Sequence, residues 1–144
     1  MNEKKFDWKP SPHTADLAMT ISAVTYDDLF RAALFGLLGT LEIEIGSIPD
    51  RVTELRLTMA SENIENALVD FLGECIYLME VEDLIPFEIR SINFLDGNLD
   101  TVLVLRNAGK IDMGKIGHIK AVTYHDLNVI ESDGVFRATI VFDT

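Results

Sequence analysis

Two aspartates stand where the ends of two strands are expected. His13-Thr14-Ala15-Asp16 directly precedes a run that alternates like a strand, Leu17 to Val24, and the chain closes on a similar run that ends Phe142-Asp143-Thr144. In a compact fold the first and last strands can lie side by side. If they are antiparallel, the start of one meets the end of the other and the two carboxylates converge. Left alone, such carboxylates repel and one has its pKa raised. A hard divalent cation that takes both as oxygen ligands removes the conflict. The α-carboxylate of Thr144, where free, adds a third anionic oxygen source. A plainer reading competes, because an Asp at a strand end is more often a turn or cap residue. Spacing alone leaves both open.

The other reactive side chains point less sharply. His13, three residues before Asp16, suits a ligand, a general base or a hydrogen bond within the turn. His118 and His125 flank IKAVTY at a spacing that matches no zinc signature. The stretch GKIDMGKIG resembles a phosphate loop only superficially, since it lacks the GxxxxGK[ST] ending and no helix follows it. Cys75 falls in an apolar helical stripe with no basic neighbour in sequence, which makes it a small buried hydrophobe rather than a reactive thiol. No nucleophile elbow or zinc pattern is found.

The elements that must position these groups follow from periodicity. Leu17, Met19 and Ile21 alternate with Ala18, Thr20 and Ser22, the pattern of a half-buried strand. Thr25 begins a helix that runs to about Leu41, with an acidic residue three positions on to complete the cap. RVTELRLTMA alternates again. Ser61 is the predicted cap of a second helix, whose stripe is Ile64, Leu68, Phe71, Leu72, Cys75, Leu78 and Met79. FEIRSINFL and LDTVLVLR form a hairpin around Asp96-Gly97-Asn98. NAGKIDMGKIGH reads as a loop. HIKAVTYHDLNVIE and VFRATIVFD are predicted as two further strands joined by Ser132-Asp133-Gly134, with Arg137, Thr139, Val141 and Asp143 on the face opposite Phe136, Ala138, Ile140 and Phe142. KPSPH, ahead of the first core strand, is an extended lead-in. The order predicts an α+β fold, two helices packed on a mostly antiparallel sheet in two layers, as one domain spanning residues 1–144.

Composition sets the limits. At 144 residues one domain buries roughly 68–70% of its unfolded surface. The most apolar run, Ala32 to Leu41, is far short of the roughly 20 residues that cross a membrane. No secretory signal is read at the N-terminus, and one cysteine gives no disulfide framework, so the expected compartment is the cytoplasm. With 24 acidic residues against 12 Lys and Arg, the net charge is -12. That disfavours direct binding of nucleic acid, whose affinity comes largely from neutralised phosphates. It suits cation binding, a basic protein partner or plain solubility.

Three blocks together resemble one family. HTADLAMTISAVTYDDLFRAA is similar to the opening of the archease family, GHIKAVTYHDLNV to its Lys-Ala-x-Thr-Tyr-His segment, and VFDT to its Val-x-Asp ending. The blocks stand in family order across the whole chain, while Gly46 to Lys110 match only in their pattern of elements. The resemblance implies an accessory protein, with no catalytic residues of its own. Its partner would be the guanylate-dependent RNA ligase of tRNA splicing, which it activates by promoting guanylylation and multiple turnover. It implies a divalent cation, Ca²⁺ ahead of Mg²⁺, held by Asp16, Asp143 and Thr144. It also ties Lys120 to activity and places His13 and His125 at motif positions without assigning them a role. The chain ends in Thr where many members of the family end in an apolar residue, which leaves the terminal oxygens unaffected. No direct nucleic-acid contact, no membrane and a monomer are the accompanying expectations. Two alternatives remain: a metal-dependent hydrolase with His13 as base, and a chaperone-like scaffold for RNA-modifying enzymes.

Overall fold

The computed structural model describes residues 5–11, 17–46, 52–109, 119–124 and 127–144. The chain order is β1 (Phe6–Pro10), β2 (Leu17–Ala23), α1 (Tyr26–Thr40), β3 (Thr53–Ala60), α2 (Ile64–Glu80), β4 (Leu84–Leu95), β5 (Asn98–Asn107), β6 (Ala121–Val122), β7 (Ile130–Ser132) and β8 (Val135–Asp143). It is an α+β fold, with two helices packed on antiparallel sheets. The strands divide into two sheets. One runs β1-β2-β8-β6 with β7 also on β8, and the other runs β3-β5-β4.

Local signals set most of these elements. The Thr25 hydroxyl accepts from the Asp28 amide at 3.0 Å and caps α1 as its sequence predicts. Both hairpins turn on Asp-Gly pairs with positive φ at each residue, Asp96-Gly97 and Asp133-Gly134. That is the backbone of a two-residue turn whose twist matches its strands. α1 is buried on nearly every side because it packs against β1 and β2, against β4 of the other sheet, and against α2. Phe30 of α1 meets Phe71 of α2 edge-on, their ring centroids 5.4 Å apart. Cys75 is fully buried in this core.

Three details depart from the sequence reading. First, a strand not expected from the sequence leads into KPSPH and takes in its first two residues: Phe6–Pro10 pair with Ala23–Met19 at the sheet edge, where the missing N–H of Pro10 is tolerated. Trp8 lies across α1 so closely that a Cβ on Gly39 would collide with the indole. Second, Asn63 rather than Ser61 caps α2, its side chain accepting from the Asn66 amide at 2.8 Å. The Ser61 hydroxyl is instead drawn to Asp70, at 3.0 Å. Third, of the expected strand over 118–131, the described residues form strand only at Ala121–Val122 (β6) and from Ile130 onward (β7). Between them the Leu127 amide folds back onto the Tyr124 carbonyl, and the Glu65 carboxylate of α2 accepts from the Val129 amide at 2.9 Å. Val129 thus bonds a partner 64 positions away in sequence instead of a neighbouring strand.

Candidate functional site

The antiparallel register of β2 and β8 sets Leu17 opposite Phe142, so the start of the first core strand lies against the end of the last. Alternation then sorts the side chains. Phe142 is fully buried in the core, while Asp143 and Thr144 are exposed. Asp16 precedes Leu17 in the chain and lies outside the described residues, as do His13, His118 and His125. β6 pairs with the same end of β8, with Ala121 opposite Asp143. The Lys120 amide donates to the Asp143 carbonyl at 2.8 Å. Asp143 and Lys120, 23 positions apart in the numbering, are therefore backbone neighbours held by a hydrogen bond.

Lys120 also lines a hollow of about 560 Å³ beside α2, with Asp70, Glu74, Tyr77 and Glu80 on its wall and Met59 and Ile76 beneath. Lys120 thus shares this hollow with an acidic face of α2, while its backbone is fastened to the end of β8. Among the described residues no group of three or more His, Cys, Asp and Glu side chains gathers. The described donors at this end are the oxygens of Asp143 and Thr144. They suit a hard cation in kind, but are fewer than the six to eight oxygens Ca²⁺ takes. No described helix is long and apolar enough to cross a membrane.

A second concave region was not singled out by any motif. It opens on the outer side of β8, where β6 and β7 pair with the strand's two ends, and holds about 760 Å³. The signal for it was present in the alternation that sets Arg137 and Thr139 outward, but nothing local marks the gap beside them.

An antiparallel α+β fold whose first core strand and last strand are paired, with a lysine amide fastened to the terminal Asp carbonyl, defines the class. The chain belongs to the archease family, whose description, Archease protein family, matches residues 8–144. Similar proteins named archease include that of Thermotoga maritima, 31% identical with 94% of this chain and 98% of that protein covered. That of Pyrococcus furiosus is 29% identical, with coverage of 94% and 97%. A crystal structure of an archease from Thermotoga maritima, described as a possible chaperone, superposes with a TM-score of 0.65 at 29% identity, covering 94% of this chain and 96% of that one. The solution structure of Methanobacterium thermoautotrophicum protein 1598 shares the fold, with a TM-score of 0.69 at 21% identity and coverage of 97% and 99%.

Proposed function

We propose that this chain is an accessory protein that activates a guanylate-dependent RNA-splicing ligase by promoting its guanylylation and repeated turnover. The observation that carries the reading is the junction of β2, β6 and β8, which sets Asp143, Thr144 and the Lys120 backbone at one exposed end of an archease-family chain. Asp143 and Thr144, with Asp16, would hold a divalent cation there, Ca²⁺ before Mg²⁺, with water completing the shell. The ion would supply positive charge to an otherwise acidic surface. Lys120 adds a second cation beside it, and such charge suits an active site crowded with phosphate oxygens. The accessory reading agrees in class with the Thermotoga maritima protein being described as a possible chaperone. A hydrolase reading draws no comparable support, because Asp143 lines neither hollow described above.

The test is ligation by a partner ligase under multiple turnover, with catalytic amounts of this chain. Asp16→Ala, Asp143→Ala and Lys120→Ala should each lose most of the stimulation, while single-turnover basal ligation stays unchanged. Glu82→Ala, an exposed charge removal beside Tyr77, should stimulate as wild type does. Full stimulation by the three site variants would move the functional surface elsewhere.

A further inference from the structure

We propose that the gap beside the middle of β8 is a binding site for a small phosphate monoester, with Arg137 as its anchor. β6 pairs with Asp143 and Phe142, and β7 with Arg137, Phe136 and Val135. Ala138 to Ile140 are left without a strand partner on that side among the described residues. Tyr124, Leu127 and Asn128, described residues between β6 and β7, line the hollow on this side. That wall is fastened rather than loose. The Thr123 amide donates to the Val141 carbonyl, the Leu127 amide to Tyr124, and the Val129 amide to Glu65. At about 760 Å³ the space falls within the range of small-molecule sites.

Its chemistry runs against the rest of the molecule. The chain carries 24 acidic residues, yet none of the described residues lining this hollow is acidic. Arg137 lines it and has no hydrogen-bond or ion-pair partner among the described residues. The other described arginines are all committed: Arg31 to Asp28, Arg56 to Asp100, Arg90 to Glu54, and Arg106 to the Ile45 carbonyl. Register explains the difference. The cross-strand neighbours of Arg137 are Ser22 and Ile130, both uncharged. Glu131 pairs with Phe136 and belongs to the other face, and Asp7 stands two strands away, roughly 10 Å by strand spacing. Asp133 sits at the tip of the β7–β8 hairpin.

The neighbouring donors favour a tetrahedral anion. The Thr20 and Thr139 hydroxyls bond each other at 3.2 Å, which uses one proton and leaves the second free to point outward. Ser132 and Asn128 line the same space. With the five N–H groups of the guanidinium, these donors exceed what one carboxylate accepts and suit a phosphate's three terminal oxygens. Tyr124 is 56% exposed and Ile130 57%, apolar surface that an aromatic carrier of the phosphate would cover.

The experiment titrates the full-length chain with phenyl phosphate, benzoate and inorganic phosphate while backbone amide shifts are followed by NMR. Phenyl phosphate should give saturable shifts at Asn128, Ile130 and residues 137–139, with benzoate and inorganic phosphate each several-fold weaker. Arg137→Gln should weaken phenyl phosphate by about tenfold or more, the usual scale for removing one charged hydrogen-bonding partner. Arg137→Lys should recover part of that loss, and Arg56→Gln should leave affinity unchanged. The proposal is overturned if none of the probes saturates, if benzoate binds as tightly as phenyl phosphate, or if Arg137→Gln and Arg56→Gln behave alike. None of these outcomes bears on ligase activation, which rests on the Asp143 end of β8.

Discussion

Single side chains in this protein divide by what surrounds them. Cys75 is enclosed by apolar residues and its thiol is pushed well above its ordinary value, chiefly by burial and then by the nearby Glu74 charge. A folded-state pKa raised in this way keeps the thiol neutral while the unfolded chain ionises. The stabilising contribution is complete below the free-thiol value of 9.0 and is lost as pH climbs past it. Native protein should therefore react with a thiol reagent at pH 7–8 only at the rate at which it unfolds, and denaturant should release one equivalent. Fast modification of the native protein would mean that the core around α2 opens locally. Asp143 is the opposite case, exposed at a strand end. Asp143→Ala should leave the metal-free melting temperature within about 2 °C, since a surface substitution costs little. The same change should abolish the stabilisation that added Ca²⁺ gives the wild type. If wild type and variant gain equally from Ca²⁺, the ion binds elsewhere.

At the level of elements, caps and turns were legible where their chemistry is local, and obscure where a distant group intervenes. Thr25, Asp96-Gly97 and Asp133-Gly134 announce themselves within four residues and hold as read. Ser61 and Asn63 are both good caps, and only the bond from Ser61 to Asp70 in the folded helix decides between them. Asn63→Ala should accordingly cost about 1 kcal/mol, the usual value of a lost N-cap, and lower the melting temperature by roughly 2–4 °C. Ser61→Ala should cost clearly less, because its exposed bond to Asp70 is replaced by water. Equal losses would show that the two residues share the cap. Gly39→Ala tests another long-range fact that no pattern discloses, the indole of Trp8 resting on α1. Overpacking there should destabilise by about 1–3 kcal/mol. The candidate site divides in the same way. Alternation put Asp143 at an exposed strand end, and fold compactness put the first core strand beside the last. What alternation could not reveal was that the Val129 amide would bond the Glu65 carboxylate of α2, and that β7 would leave the pairing of β8 at Arg137.

The whole molecule adds a constraint that neither residues nor elements carry alone. Its net charge is -12, and its described arginines apart from Arg137 are already engaged with oxygen partners. Binding a polyanion requires many free cations, each displacing a counterion from the phosphate chain, and 6–10 such contacts are typical of proteins that bind nucleic acid. Among the described arginines, one without an oxygen partner, in a hollow, suits a single phosphate group, and the 12 Lys and Arg of the whole chain are outnumbered by 24 acidic residues. A bound cation beside Lys120 would make one end of the molecule locally positive, but a patch that small reaches only about a Debye length, roughly 8 Å at physiological salt. The chain should therefore touch the ligase and leave the RNA to it. In fluorescence anisotropy with labelled tRNA, it should show no saturable binding at about 150 mM salt, with or without Ca²⁺, and lowering the salt to about 50 mM should not restore any. Tight binding that weakens steeply with salt would mean that the activator grips the substrate, and stimulation of turnover would then need an explanation through RNA delivery rather than through the ligase.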